Sequence, residues 1–167
     1  MHCSVCGFGH HELILNYGEI PLCDAMRMTR EKATQIPKYE IKVVNCPSCN
    51  HSELLFKPPE EEIYATYTYR TSQSPTLNEH FTEYANTLIS TFKYIHGEPE
   101  TKIKLLDIGG NDGVLASRSI ELGCNAYIID PSPTACLADK AIHLINSYFG
   151  KDLAEKLASN GSDAHFI

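Results

Sequence analysis

Two cysteine pairs with the same short spacing constrain the first third of the chain. They are Cys3-Ser-Val-Cys6 and Cys46-Pro-Ser-Cys49. A Cys-x-x-Cys turn places two thiolates where one tetrahedral ion can bind both, and two such turns complete a structural zinc site. The alternative is two unrelated reduced pairs or a redox motif, but a redox Cys-x-x-Cys normally occurs singly, after a strand. We therefore expect Zn²⁺ to be bound by Cys3, Cys6, Cys46 and Cys49.

The segment between the two pairs must fold as a small subdomain, because 39 residues separate Cys6 from Cys46. Residues 39–44 alternate in polarity and run into the second pair, which predicts a strand that delivers Cys46 to the metal. Residues 13–15 are predicted to form another short strand. Gly7 and Asn50 follow the two pairs and suit a left-handed turn. So small a module has too little core to fold alone, and metal binding is expected to stabilise it.

Composition limits the classes of partner. The chain has 167 residues and a net charge of −7, which allows a metal module plus one further domain and disfavours a basic nucleic-acid groove. The sequence has no apolar run of membrane-spanning length and no signal-peptide pattern in residues 1–30. Cysteines arranged as ligands favour a reducing compartment, so we expect a cytoplasmic protein. The remaining cysteines are expected to be small buried side chains: Cys23, Cys124 and Cys136.

The second half of the chain alternates between predicted strands and helices. The strands are residues 103–108, 126–130, 142–145 and 164–167, and the helices between them are residues 112–122, 133–140 and 151–158. Such alternation predicts a parallel, doubly wound sheet of the α/β class. Because the last predicted strand coincides with the end of the chain, we expect this fold to be partial. The predicted division is a zinc module at 1–58, a connecting region at 59–100 and the sheet domain at 101–167.

The connecting region holds an aromatic segment and a helix. Residues 64–74 are rich in tyrosine and hydroxyl groups, and this predicts an ordered loop that either covers a ligand or packs between subdomains. Thr76-Leu-Asn-Glu79 is a capping box after Pro75, and Gly97 is predicted to end the helix. The apolar stripe of this helix is predicted to be core: Leu77, Phe81, Tyr84, Ala85, Leu88, Ile89, Phe92 and Ile95.

A glycine loop, Asp107-Ile-Gly-Gly-Asn-Asp-Gly113, follows the first predicted strand of the sheet and opens a helix. Gly109 allows a sharp turn, and Gly113 allows the helix to start close to a ligand. Asp130 ends the next strand, where an acid can accept both ribose hydroxyls. Together these features predict an adenosine-binding site. The structural alternatives are that Asp107 binds local N–H groups and that Asp112 caps the helix.

The spacing of the loop favours S-adenosylmethionine over a dinucleotide. The dinucleotide fingerprint requires glycines where this chain has Asn111 and Val114. Asp112 would repel a pyrophosphate at the helix start, whereas S-adenosylmethionine has no phosphate and carries an amino group that needs acceptors. We expect Gly109 and Asn111 to approach the methionine portion and Asp130 to bind ribose. Tyr67, Tyr69 and Ser72 are expected to close over the cofactor or the substrate.

The chain resembles the N-terminal part of the zinc-containing C-methyltransferases that act on nucleotide-linked deoxysugars. The resemblance lies in Cys3-x-x-Cys6, Gly18-Glu-Ile-Pro-Leu22, Cys46-Pro-x-Cys49, Tyr67-x-Tyr69 ahead of His80, and Asp107 to Gly113. It implies a zinc domain, a class I, Rossmann-like methyltransferase fold and a further α/β domain that supplies much of the sugar site. It also implies C-methylation next to a ketone through an enolate. Cys23-Asp24 departs from the family's pattern.

The resemblance places the catalytic base beyond Ile167, so we expect residues 1–167 to lack it. His80 and His96 are candidates by residue type alone. Cofactor-binding residues are thus predicted to be Asp107, Gly109, Asn111, Gly113, Asp130, Tyr67, Tyr69 and Ser72. Expected partners are a nucleotide-sugar and either a second copy or a separate C-terminal chain. The rival hypotheses are a non-catalytic, zinc-stabilised cofactor-binding adaptor and a nicotinamide-dependent enzyme.

Overall fold

The structure, a computed structural model, describes residues 2–23 and 26–159. These residues form two compact units that divide between Ile63 and Tyr64, here termed the N-terminal and C-terminal units. Within the described ranges, no helix is both long and apolar enough to cross a membrane. The predicted strand at 164–167 and Asp24 lie outside the described residues.

The N-terminal unit is built on a three-stranded antiparallel sheet in the order β1-β2-β3. The strands are β1 (Glu12–Pro21), β2 (Lys38–Asn45) and β3 (Ser52–Leu54), and the short helix α1 (Arg30–Thr34) accompanies them. A second short helix, α2 (Glu60–Tyr64), ends at the first residue of the C-terminal unit. The predicted strand before Cys46 is confirmed as β2. The strand predicted at 13–15 is part of the longer β1, whose register shifts twice along β2.

The C-terminal unit contains a parallel sheet in the order β4-β5-β6, which confirms the predicted parallel pairing for three strands. The strands are β4 (Lys104–Ile108), β5 (Asn125–Ile129) and β6 (His143–Ile145), and the helices are α3 (Pro75–His96), α4 (Val114–Glu121) and α5 (Lys151–Ser159). Thr71–Gln73 and Pro133–Leu137 are 3₁₀ turns. The unit is a mixed α/β structure.

The apolar core of the C-terminal unit joins α3 and α4 to the sheet. Ala85 of α3 packs with Leu105, Leu115 and Ile128, with Phe81 and Leu88 at the border of this cluster. Tyr84 and Ile95, predicted to be core, are 43% and 64% exposed. Burial is confirmed for Cys124, but Cys23 and Cys136 are exposed, so that prediction was wrong for two of three cysteines.

Two predicted helix starts were wrong for backbone reasons. The N-cap of α3 is Ser74, whose hydroxyl accepts from the Leu77 N–H at 3.3 Å, rather than Thr76. Pro75 then takes the first helical position, where its fixed φ fits and its missing N–H is not needed. Helix α4 begins at Val114 rather than Asp112, because Asn111 and Gly113 have left-handed φ values of 49° and 79°.

Gly109 and Gly113 share a φ of 79° but have different surroundings. A Cβ at Gly113 would lie 2.7 Å from Cδ1 of Ile142 and 3.1 Å from Cβ of Ala138. A Cβ at Gly109 would meet nothing within 4 Å. Gly113 is therefore required by packing beneath the loop, whereas Gly109 presents its backbone to open space.

This difference can be measured with a matched pair of substitutions. Both Gly109→Ala and Gly113→Ala place a Cβ on left-handed backbone, at a cost of roughly 1–2 kcal/mol. Gly113→Ala also overpacks the contact with Ile142, which should add about 1–3 kcal/mol. Denaturant unfolding should show the larger loss of unfolding free energy for Gly113→Ala. Equal losses would contradict the packing role.

Candidate metal centre and glycine loop

The two Cys-x-x-Cys segments adopt matching turns. The N–H of Gly7 donates to the carbonyl of Cys3 at 2.9 Å, and the N–H of Asn50 donates to the carbonyl of Cys46 at 2.8 Å. Gly7 and Asn50 both have left-handed backbone, with φ of 74° and 60°, as predicted. Strand β2 ends at Asn45 and so places Cys46 opposite the first turn.

The turns bring the four predicted sulfurs together. Sγ of Cys3 lies 3.7 Å from Sγ of Cys49, and Sγ of Cys6 lies 3.6 Å from Sγ of Cys46. All four sulfurs lie within 4.8 Å of one another. A disulfide would place two sulfurs about 2.05 Å apart, whereas tetrahedral Zn–S bonds of about 2.3 Å separate them by about 3.8 Å. The arrangement fits a metal ion such as zinc and does not fit disulfides.

Electrostatics also favours a cation among these sulfurs. The backbone N–H groups of Cys6 and Val5 lower the pKa of the Cys3 thiol to about 6. The backbone N–H of His51 acts to lower the pKa of Cys49, but its contacts with the other sulfurs raise that pKa to about 12. The four thiols therefore cannot all ionise side by side, and a divalent cation removes this conflict because thiolates are its ligands.

Asn111 is the centre of the glycine loop. Its Oδ1 accepts from the N–H and the hydroxyl of Thr71 at 3.1 and 3.3 Å. Its Nδ2 donates to the carbonyl of Tyr69 at 3.1 Å and to Oγ1 of Thr134 at 3.2 Å. The amide side chain is thereby fully engaged, so Asn111 holds the aromatic segment against the loop. Its predicted contact with a cofactor would have to come from its backbone.

Asp112 also binds the aromatic segment through its side chain. Its side chain is 2% exposed, accepts from the hydroxyl of Ser72 at 2.5 Å and lies 3.7 Å from Nε of Arg70. The backbone N–H of Ser72 also donates to this carboxylate at 3.3 Å. Asp112 therefore binds the aromatic segment, and no hydrogen bond joins it to the start of α4. Ser72 is likewise turned toward Asp112.

Asp130 follows β5 and is 6% exposed. Its Oδ1 accepts from the N–H and hydroxyl of Ser132 at 2.8 and 2.5 Å, and its Oδ2 accepts from the N–H of Asn111 at 2.9 Å. A carboxylate offers about four acceptor positions. Asp130 thus fixes the loop to the end of β5 and has one acceptor position that no described residue fills.

Asp107, at β4, has a different environment. Among the described residues its carboxylate takes part in no hydrogen bond, and burial, with the nearby charge of Asp130, raises its pKa to about 6. A small cavity of about 60 Å³ lies beside it, lined by Thr71, Phe81 and the loop. Ligand pockets are typically about 300–1,000 Å³, so this cavity alone is too small for a nucleoside.

Four tyrosines gather in the C-terminal unit. The ring of Tyr67 lies 6.1 Å from that of Tyr64 and 6.3 Å from that of Tyr69, and Tyr64 lies 6.4 Å from Tyr148. Sequence analysis missed Tyr148. Its position shortly after β6 was the available signal, because the carboxyl ends of parallel strands share one edge of a sheet. Ser132 and Thr134, which follow β5, were missed although the same signal applied.

The two candidate histidines both lie exposed on α3. His80 stacks on Tyr84 with ring centroids 6.0 Å apart, and His96 lies 4.8 Å from the ring of Phe92. Among the described residues neither forms an ion pair with a carboxylate.

A polar cleft of about 310 Å³ lies elsewhere in the C-terminal unit and is lined by Arg70, Asp112, Arg118 and Asp139, among others.

Comparison with known proteins assigns no family. No protein-family model matches the chain, and no curated protein matches it.

Removing one ligand tests the metal centre. Cys46→Ser should abolish stoichiometric zinc binding by the four-cysteine centre and destabilise the N-terminal unit, because metal binding and folding are coupled in so small a core. Cys23→Ser, at an exposed cysteine outside the cluster, is the control and should retain both. Elemental analysis and thermal unfolding provide the measurements. Zinc retained by Cys46→Ser, or iron in the wild type, would contradict the assignment.

The raised pKa of Asp107 predicts a pH-dependent stability. A carboxyl that binds its proton more tightly when folded favours the folded state at low pH, and this contribution is lost as the pH rises from about 4 to about 6. Asp107→Asn should therefore stabilise the protein at pH 8 by about 1–3 kcal/mol, and by less at pH 5. Denaturant unfolding at both values measures this, with exposed Glu83→Gln as control. A loss of stability at pH 8 would contradict the prediction.

Proposed function

We propose that this chain binds S-adenosylmethionine and serves C-methylation of a nucleotide-linked keto-deoxysugar, the activity implied by the resemblance of its motifs. The observation that carries the proposal is the glycine loop. It joins a parallel strand to a helix, exposes backbone at Gly109, and is fixed to the acid that follows the neighbouring strand. A Rossmann-like methyltransferase fold would place a cofactor at this edge.

The residues near the loop have distinct roles in this proposal. Asp107, which has no hydrogen-bond partner among the described residues, accepts from the amino group of the ligand, and Gly109 lets its backbone approach. Asp130 offers its remaining acceptor position to ribose. Bound S-adenosylmethionine would supply an electrophilic methyl group, and the electron-rich faces of Tyr67 and Tyr69 suit the positive charge of its sulfonium. The four-cysteine centre is structural, because four sulfurs leave no open coordination position.

The second candidate is a cofactor-binding module without catalysis, including one subunit of a split enzyme. The observation that favours it is the exposure of the two candidate histidines and their lack of a carboxylate partner among the described residues. His80 and His96 lie exposed on α3, and no carboxylate among the described residues forms an ion pair that would orient either as a base. Under this alternative, the chain binds S-adenosylmethionine but does not deprotonate a sugar.

Calorimetry with S-adenosylmethionine, S-adenosylhomocysteine and NAD⁺ tests ligand binding. Both adenosyl ligands should bind more tightly than NAD⁺. Asp107→Asn should weaken S-adenosylmethionine binding about 10- to 100-fold, the value of a charge-assisted hydrogen bond. Glu83→Gln is the control and should bind as the wild type does. Tighter binding of NAD⁺ would contradict the proposal. A methyl-transfer assay with keto-deoxysugar nucleotides then separates the enzyme from the non-catalytic module.

A further inference from the structure

A histidine and a glutamate lie beside one sulfur of the four-cysteine centre. Nε2 of His11 is 3.4 Å from Oε1 of Glu53, and each side chain is only 7% exposed. One possible ligand atom from each of Cys3, His11 and Glu53 lies within 4.8 Å of the other two. Glu53 belongs to β3, and its Oε1 also accepts from the N–H of Ser4, inside the first cysteine turn, at 3.1 Å. The fold therefore holds this trio in place.

The contact between His11 and Glu53 is close but is at most a poorly aligned hydrogen bond. Nε2 of His11 is buried and has no hydrogen-bond partner among the described residues. A buried polar atom of this kind is rare and calls for an explanation such as a bound ion. Two atoms that bind the same metal ion lie close together but face the ion rather than each other. A shared ion would therefore account for both the short N–O separation and the poor hydrogen-bond alignment. The spacing of about 3.4 Å between N and O is that expected for tetrahedral zinc with bonds of about 2.0–2.2 Å.

The local charge balance also calls for a cation. Four thiolates around one divalent ion leave two negative charges, and the carboxylate of Glu53 adds a third beside Cys3. The nearby cation is Lys57, whose Nζ is 3.8 Å from Oε2 of Glu53 but whose side chain is 67% exposed. Buried charges of one sign are costly unless they are paired or bind metal. A second divalent ion would offset two of these three negative charges.

We propose that Cys3, His11 and Glu53 form a second metal site, which takes a divalent ion of the zinc class and shares the sulfur of Cys3 with the four-cysteine centre. Sulfur, imidazole and carboxylate are the ligand types that zinc accepts. Three protein ligands leave one coordination position open, unlike the four-cysteine centre. This site is independent of the proposed function, since it lies wholly in the N-terminal unit.

Metal stoichiometry tests the second site directly. The purified protein is equilibrated with excess zinc, passed over a desalting column and analysed for zinc per chain. The wild type should hold two zinc ions, and His11→Ala and Glu53→Gln should each hold one. Glu53→Gln keeps an oxygen that can accept from the N–H of Ser4, so it removes the carboxylate with little change in packing. His10→Ala alters a neighbouring exposed histidine and should retain two ions.

Cobalt titration, followed by absorption and circular dichroism, shows which centre each variant fills and whether it is folded. His11→Ala and Glu53→Gln should keep the thiolate–cobalt bands of the first equivalent and lose the second binding step. One zinc ion in the wild type would overturn the proposal, as would two ions in both variants. Loss of both ions from Glu53→Gln would also overturn it, because the pair would then support the four-cysteine centre.

Discussion

The convergence of four sulfurs is the constraint on which the N-terminal unit depends. Within the described part of this unit the buried residues are Cys3, Val44, Cys46 and Pro58, so two of the four belong to the four-cysteine cluster. Many apolar side chains of β1, such as Leu13, remain exposed and contribute little to a core. A sheet with so few buried side chains cannot offset the entropy of ordering its chain by apolar burial alone. A metal ion held by the four cysteines would supply the stability that this small core does not.

The C-terminal unit is stabilised by an apolar core instead. Its irregular part is the glycine loop. Asn111 and Asp112 are consecutive, and each binds the aromatic segment through its side chain. The left-handed backbone at Asn111 and Gly113 is stabilised by these bonds and by the close packing under Gly113. Residues 69–72 are thus fixed relative to the glycine loop.

Local sequence rules predicted the parts of this structure that depend on local chemistry. The cysteine turns, the strand before Cys46 and the parallel alternation each follow from spacing or periodicity, and the structure confirms them. The roles of Asn111 and Asp112 could not be predicted, since their partners lie 40 residues away in sequence. The start of α4 was wrong for a related reason. Position 113 admits only glycine, because a Cβ there would lie 2.7 Å from Cδ1 of Ile142, and no local pattern reports that closeness.

The same limit explains why His11 and Glu53 were missed. Neither belongs to a motif, and only the pairing of β1 with β2 and of β2 with β3 brings them to Cys3. His11 and Asp107 have a common property: each places an ionisable group where water is scarce, with an atom that has no hydrogen-bond partner among the described residues. Folding alone does not favour such positions, because desolvation of an unpaired carboxylate is costly. Sites that break local rules at a cost in stability are where ligands are expected. At both places a bound cation would relieve that cost.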